Sequence, residues 1–99
     1  MTMKYLHTMI RVIDLEKSIH FYTKGLGFEI ASRDEYAKDR FTLVFLKAPG
    51  DTDGRSMIEL THNWDTKSYT RGDAYGHVAY RVESVAKIQE NLKQAGFRS

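Results

Sequence analysis

Polar and apolar residues alternate along His7-Thr8-Met9-Ile10-Arg11-Val12, which puts His7, Met9 and Arg11 on one side of the chain and Thr8, Ile10 and Val12 on the other. A period of two is the mark of a strand, and it predicts one over residues 7–12. The period then changes. Leu15, Ile19 and Tyr22 recur at helical spacing behind Asp14, which is placed to cap the first turn, and Gly25 ends the helix. Three more strands are predicted at residues 28–32, 41–46 and 57–61. They are parted by the polar stretches Asp34-Glu35-Tyr36-Ala37-Lys38-Asp39 and Pro49-Gly50-Asp51-Thr52-Asp53-Gly54, which read as turns.

The pattern His-x-x-x-Arg-Val occurs twice, at His7 and again 70 residues later at His77. Each copy leads through a helix-like segment to Gly-Phe and a charged residue, Gly27-Phe28-Glu29 in the first and Gly96-Phe97-Arg98 in the second. Two copies of one unit explain this most simply. The second copy predicts a strand at 77–82. It also predicts a helix capped by Ser84, with Val85, Ile88, Leu92 and Ala95 on one face and Gly96 at its end. The expected fold is α+β, built of paired β-α-β-β-β modules within a single domain over residues 1–99. Module one spans about 4–66 and a partial module two about 75–99. Ser99 aligns with Ile30, so the second module is expected to be truncated after its helix. A sheet edge left open in this way invites pairing with another chain.

Composition narrows the function. Fifteen Lys and Arg against thirteen Asp and Glu give a formal charge of +2, too balanced to make nucleic acid or an anionic membrane the main partner. The chain has no cysteine, which removes disulfide scaffolds, thiolate metal sites and cysteine nucleophiles and permits a reducing cytoplasm. The first residues lack the apolar core of a secretory signal, and no apolar run approaches the roughly 20 residues that span a bilayer. A soluble cytoplasmic protein is expected.

Alternation also sorts the polar residues. Glu59, Thr61 and Asn63 share a face opposite Ile58 and Leu60; His77, Ala79 and Arg81 oppose Val78, Tyr80 and Val82. A sheet that curls would gather His7, Glu59 and His77 in one cleft, where a divalent ion such as Zn²⁺, Ni²⁺, Co²⁺ or Fe²⁺ suits imidazole nitrogen and carboxylate oxygen. The alternative is that His7 and His77 are ordinary half-buried histidines and that Glu59 faces water or pairs with Arg11 or a lysine. His20 reads as a solvated surface residue, and His62 falls on the face opposite Glu59. Trp64 and Tyr75 fit either a substrate wall or core and interface packing. Gly25, Gly27 and Gly96 read as helix stops, and no phosphate loop or nucleophile elbow occurs.

Four blocks carry a resemblance: Leu6-His7-Thr8-Met9-Ile10-Arg11-Val12 with Asp14-Leu15; Ser18-Ile19-His20-Phe21-Tyr22-Thr23-Lys24 leading to Leu26-Gly27-Phe28; Ile58-Glu59-Leu60-Thr61-His62-Asn63-Trp64; and Tyr75-Gly76-His77-Val78-Ala79. Together they resemble the glyoxalase I (lactoylglutathione lyase) family of short bacterial type, within the vicinal-oxygen-chelate superfamily. The resemblance implies a homodimer with sites at the interface and one divalent metal, Ni or Zn, in each. It implies His7, Glu59 and His77 as metal ligands, Glu59 as the catalytic carboxylate, and Arg11 and Asn63 as contacts to glutathione, with His77 also facing the substrate. The implied reaction isomerises the hemithioacetal of methylglyoxal and glutathione, the cosubstrate, to S-lactoylglutathione. Two features depart from the family pattern. The fourth ligand, a glutamate of the second module, has no position in these residues, and Asp73-Ala74-Tyr75 stands where some relatives carry an arginine. A metal-free binding module of the same fold and an inactive truncated fragment are the competing readings.

Overall fold

The computed structural model describes residues 1–51 and 56–98. Strand β1 (His7–Arg11) leads to helix α1 (Leu15–His20), which widens into a π-helical turn (Phe21–Gly25); β2 (Glu29–Tyr36), β3 (Phe41–Lys47), β4 (Met57–Asn63) and helix α2 (Val85–Gln94) follow. The strands form one sheet in the order β1-β4-β3-β2, with β1 and β4 parallel and the other two pairs antiparallel. This mixed α+β arrangement reproduces the β-α-β-β-β order expected of the first repeat.

Local chemistry accounts for the elements. The Asp14 carboxylate accepts the Lys17 N–H at 3.0 Å, satisfying a donor that the first helical turn leaves free. Gly27, at φ +80°, takes the left-handed conformation that releases the chain into β2. Along β3, Thr42, Val44 and Leu46 are buried while Phe41, Leu43, Phe45 and Lys47 are only half-buried. Val44 and Leu46 join Ile58 and Leu60 of β4 beneath Leu15, Ile19 and Phe28 to form the core between sheet and helix. Burying each such side chain stabilises the fold by about 1.5–3 kcal/mol.

Two elements differ from the sequence expectation. Strand β2 continues to Tyr36, so Asp34, Glu35 and Tyr36 belong to a strand, paired with Leu43, Thr42 and Phe41. The turn is residues 37–40, with Arg40 at φ +59°. Strand β2 lies at the sheet edge, where polar side chains face water without cost. Tyr36 stacks on Phe41 at 4.7 Å, and Arg33 reaches Glu16 at 2.8 Å. In the second expected turn, Thr52, Asp53 and Gly54 lie outside the described residues.

The second difference is that residues 77–82 form no strand. The equivalent β1 is held by its ladder to β4, and the 99 residues offer 77–82 no second-copy equivalent of β4. The segment instead packs on the helix-covered side of the sheet. Tyr80 meets Phe28 at 5.3 Å and, with Val78, lines a cleft shared with Tyr5, Thr8 and Ile58. Burial raises the Tyr22 phenol and pushes that of Tyr80 up to about 12, with the neighbouring phenols adding to both effects.

Helix α2 begins as expected, with Ser84 Oγ accepting the Lys87 N–H at 3.1 Å, and Gly96 at φ +95° ends it. None of its residues is fully buried, and Val85 is left exposed. It rests on the π-helical turn, where a Cβ on Gly25 would lie 2.6 Å from Leu92 Cδ2 and where Phe97 meets Phe21 at 5.2 Å. His20, expected as a free surface residue, is exposed but lies 2.9 Å through Nε2 from the Ala95 carbonyl and stacks near Phe97.

Candidate active site

The parallel register sets Met9 opposite Glu59 and His7 opposite Met57. The alternation of side chains then puts His7, Met9 and Arg11 with Met57, Glu59, Thr61 and Asn63 on the sheet face turned away from α1. On that face His7 Nε2 lies 3.1 Å from Glu59 Oε1. The other carboxylate oxygen, Oε2, accepts the Thr61 hydroxyl at 3.0 Å. The Glu59 side chain is only 13 % exposed, whereas that of His7 is 39 % exposed and open to a ligand. Phe45 of β3 presents its ring to the imidazole in a T-shaped contact at 5.3 Å, giving the pair an apolar wall. An imidazole nitrogen and a carboxylate oxygen side by side, with no thiolate, form a donor set that fits a borderline divalent cation. Of the two open readings of Glu59, pairing with Arg11 or a lysine is not seen among the described residues, where its partners are His7 and Thr61.

Asn63 closes β4 on the same face. Its main-chain carbonyl accepts the Thr66 N–H at 3.2 Å, and its side-chain Oδ1 accepts the Tyr69 hydroxyl at 3.2 Å. The next two residues form a latch. Trp64 Nε1 donates to Thr42 Oγ1 at 2.9 Å, and the Arg40 guanidinium lies 5.4 Å from the Trp64 ring centre while holding Asp65 through two bonds of 2.7 and 2.8 Å. These bonds keep the Asp65 carboxyl below its ordinary range and raise the Arg40 guanidinium. Trp64 therefore packs on the helix-covered side and does not wall the cleft. His62 also lies there, its Nδ1 3.3 Å from the Val12 carbonyl.

His77 is not brought to this pair. Among the described residues no three His, Asp or Glu side chains stand close enough together to hold a metal. The segment that carries His77 runs past Phe28 on the other side of the sheet. Tyr75 is exposed. Phe45 and Tyr69 are the neighbours that sequence reasoning missed. The apolar residues on both faces of β3 were a signal for Phe45, whereas nothing in the sequence points to Tyr69, whose contact depends on the path of the loop after Asp65.

Residues 4–99 match the family model described as Glyoxalase/Bleomycin resistance protein/Dioxygenase superfamily. The lactoylglutathione lyase of Neisseria meningitidis serogroup A is 46% identical over 94 residues, covering 95% of this chain and 67% of its own length. Among solved structures, the trypanothione-dependent glyoxalase I of Leishmania major superposes with a TM-score of 0.81 at 39% identity, over 94% of this chain and 66% of that one. Glyoxalase I of Zea mays gives 0.81 at 35% identity, over 90% of this chain and 31% of that one. The chain thus spans about two thirds of the length of the curated relatives it matches.

The four-stranded sheet superposes on solved glyoxalase I structures, and the chain belongs to the Glyoxalase/Bleomycin resistance protein/Dioxygenase superfamily. Within that superfamily the curated relatives it resembles include lactoylglutathione lyases, at 42% to 46% identity over most of its length.

Proposed function

We propose that the protein works as a lactoylglutathione lyase, converting the hemithioacetal of methylglyoxal and glutathione to S-lactoylglutathione. The observation that carries this reading is the His7–Glu59 pair, two ligand-competent groups 3.1 Å apart on the open face of the β1–β4 ladder. His7 and Glu59 would hold a divalent ion, nickel or zinc, which supplies Lewis-acid stabilisation of negative charge developing on the substrate oxygens. Glu59 is the group that takes the proton from the carbon beside the carbonyl and returns it to the adjacent carbon. Thr61 assists by tethering one carboxylate oxygen, which leaves the other turned toward His7 and the cleft. Arg11 pairs with a carboxylate of the tripeptide, and Asn63 hydrogen-bonds to its peptide part. Phe45 keeps water from one side of the pair.

His77 is the third ligand in this reading, supplied by a second copy of the chain. That arrangement makes the protein a homodimer with composite sites, in which module one of about 4–66 meets the partial module two of about 75–99 from the partner. A cytoplasmic location agrees with the cysteine-free composition, and no helix among the described residues is long and apolar enough to cross a membrane. The fold does not fix the thiol, since the similar Leishmania structure is described as trypanothione-dependent.

Purified protein reconstituted with Ni²⁺ or Zn²⁺ is expected to bind the ion and form thioester from methylglyoxal and glutathione. Glu59→Gln, which keeps the shape and removes the base, should lower kcat by about 10²–10⁴-fold, the usual contribution of a positioned general base. Protein that retains no ion contradicts the reading and favours a metal-free binding module, whereas a Glu59→Gln variant as active as wild type contradicts the role of Glu59 as the base.

A further inference from the structure

A carboxamide is nearly symmetric in shape but opposite in chemistry at its two ends, one an acceptor oxygen and the other an NH₂ with two donors. Whichever end is tied internally fixes what the other end can recognise. At Asn63 the tie is the Tyr69 hydroxyl, which donates to Oδ1 at 3.2 Å. The main chain is held independently, by the β3–β4 register with Phe41 and by the Thr66 N–H on the Asn63 carbonyl. The Arg40–Asp65 pair fastens the chain just after it, so the loop returns with Tyr69 beside Asn63. We propose that Tyr69 is a specificity-determining positioning residue: by occupying Oδ1 it presents the Asn63 NH₂ to the cleft, which therefore selects a thiol bearing a peptide carbonyl or carboxylate acceptor at this point.

This rests on the reading that Asn63 contacts the peptide part of the thiol. Tyr69 touches neither the reacting atoms nor His7 and Glu59, so its removal should act on binding and not on the chemical step. Without the phenolic donor the amide is free to turn, and half of its orientations meet the ligand's acceptor with an oxygen. With half of the amides turned the wrong way only the competent half binds, which roughly doubles the dissociation constant.

The test is Tyr69→Phe, measured by turnover of the glutathione hemithioacetal and by calorimetric binding of S-hexylglutathione, an unreactive thioether. KM and the dissociation constant are expected to rise together by about twofold with kcat unchanged. With the hemithioacetal of 2-mercaptoethanol, which has no peptide, KM should not change. The double variant Tyr69→Phe/Asn63→Ala should bind no more weakly than Asn63→Ala alone. Should Tyr69→Phe fold poorly, Asn63→Asp keeps the bond from Tyr69 and replaces the outward NH₂ by an oxygen. It is then expected to weaken S-hexylglutathione binding at least as much as Asn63→Ala. Unchanged binding in Tyr69→Phe, a fall in kcat without a rise in KM, additive effects in the double variant, or wild-type affinity in Asn63→Asp each overturn the proposal. A wild-type protein that neither turns over the hemithioacetal nor binds the thioether removes the lyase reading itself, and this proposal with it.

Discussion

At the scale of residues, the molecule puts its chemistry where two parallel strands bring unlike side chains together. His7 and Glu59 are half a chain apart in sequence, and the β1–β4 register alone makes them neighbours. The faces of both residues were legible from the alternation in 7–12 and 57–63, because a period of two leaves no freedom about which side a residue takes. Their partners were less legible. Thr61 shares Glu59's face by the same rule, but its hydroxyl donating to Oε2 depends on rotamers. Phe45 meets His7 across the sheet through a register that no local pattern encodes. The Arg40–Asp65 pair gives a residue-level prediction in pH. Asp65 has its carboxyl lowered from 3.8 by the Arg40 hydrogen bond, so the stabilisation is fully present above that ordinary value and is lost as pH falls through the lowered one. Both side chains are exposed, and the effect is correspondingly small. Thermal melts of wild type and Asp65→Asn should therefore differ modestly at pH 7 and converge as pH falls through the lowered Asp65 value. A gap that widens in acid contradicts this account of the pair.

At the scale of elements, the first copy of the repeat was readable almost strand for strand, and the second was not. Asp14 and Ser84 both cap helices where their positions suggested, since the capping bond is local. The end of β2 escaped notice because an edge strand can carry Asp34 and Glu35 with no buried face to betray it. The 77–82 segment has the alternation of a strand and lacks a ladder partner, which shows that pattern proposes a strand but pairing makes one. Helix α2 is held chiefly at the π-helical turn, where Gly25 leaves room for Leu92. A methyl at Gly25 would sit 2.6 Å from Leu92 Cδ2, so Gly25→Ala should cost about 1–2 kcal/mol by forcing that side chain aside. The same substitution in a Leu92→Ala background should cost nearly nothing, because the opposing atoms are gone. Denaturant melts of the four proteins measure this; equal costs in both backgrounds would show that α2 does not depend on this contact.

At the scale of the whole molecule, one chain assembles two of the three ligands that the sequence nominated and carries the third on a segment packed against the opposite side of its own sheet. The proposed site is therefore composite, and its logic is that of a symmetric dimer in which each cleft borrows a histidine. Mixing two inactive variants tests this account most directly, with thioester formation in the presence of Ni²⁺ or Zn²⁺ as the readout. His7→Ala and His77→Ala should each be inactive alone. When the two are unfolded, mixed and refolded together, each heterodimer pairs an intact His7–Glu59 half with an intact His77. Random reassortment should then restore about a quarter of wild-type activity. A mixture as inactive as its components, beside a wild type that turns over, would contradict a site shared between copies. A wild type that forms no thioester with either ion would contradict the lyase itself.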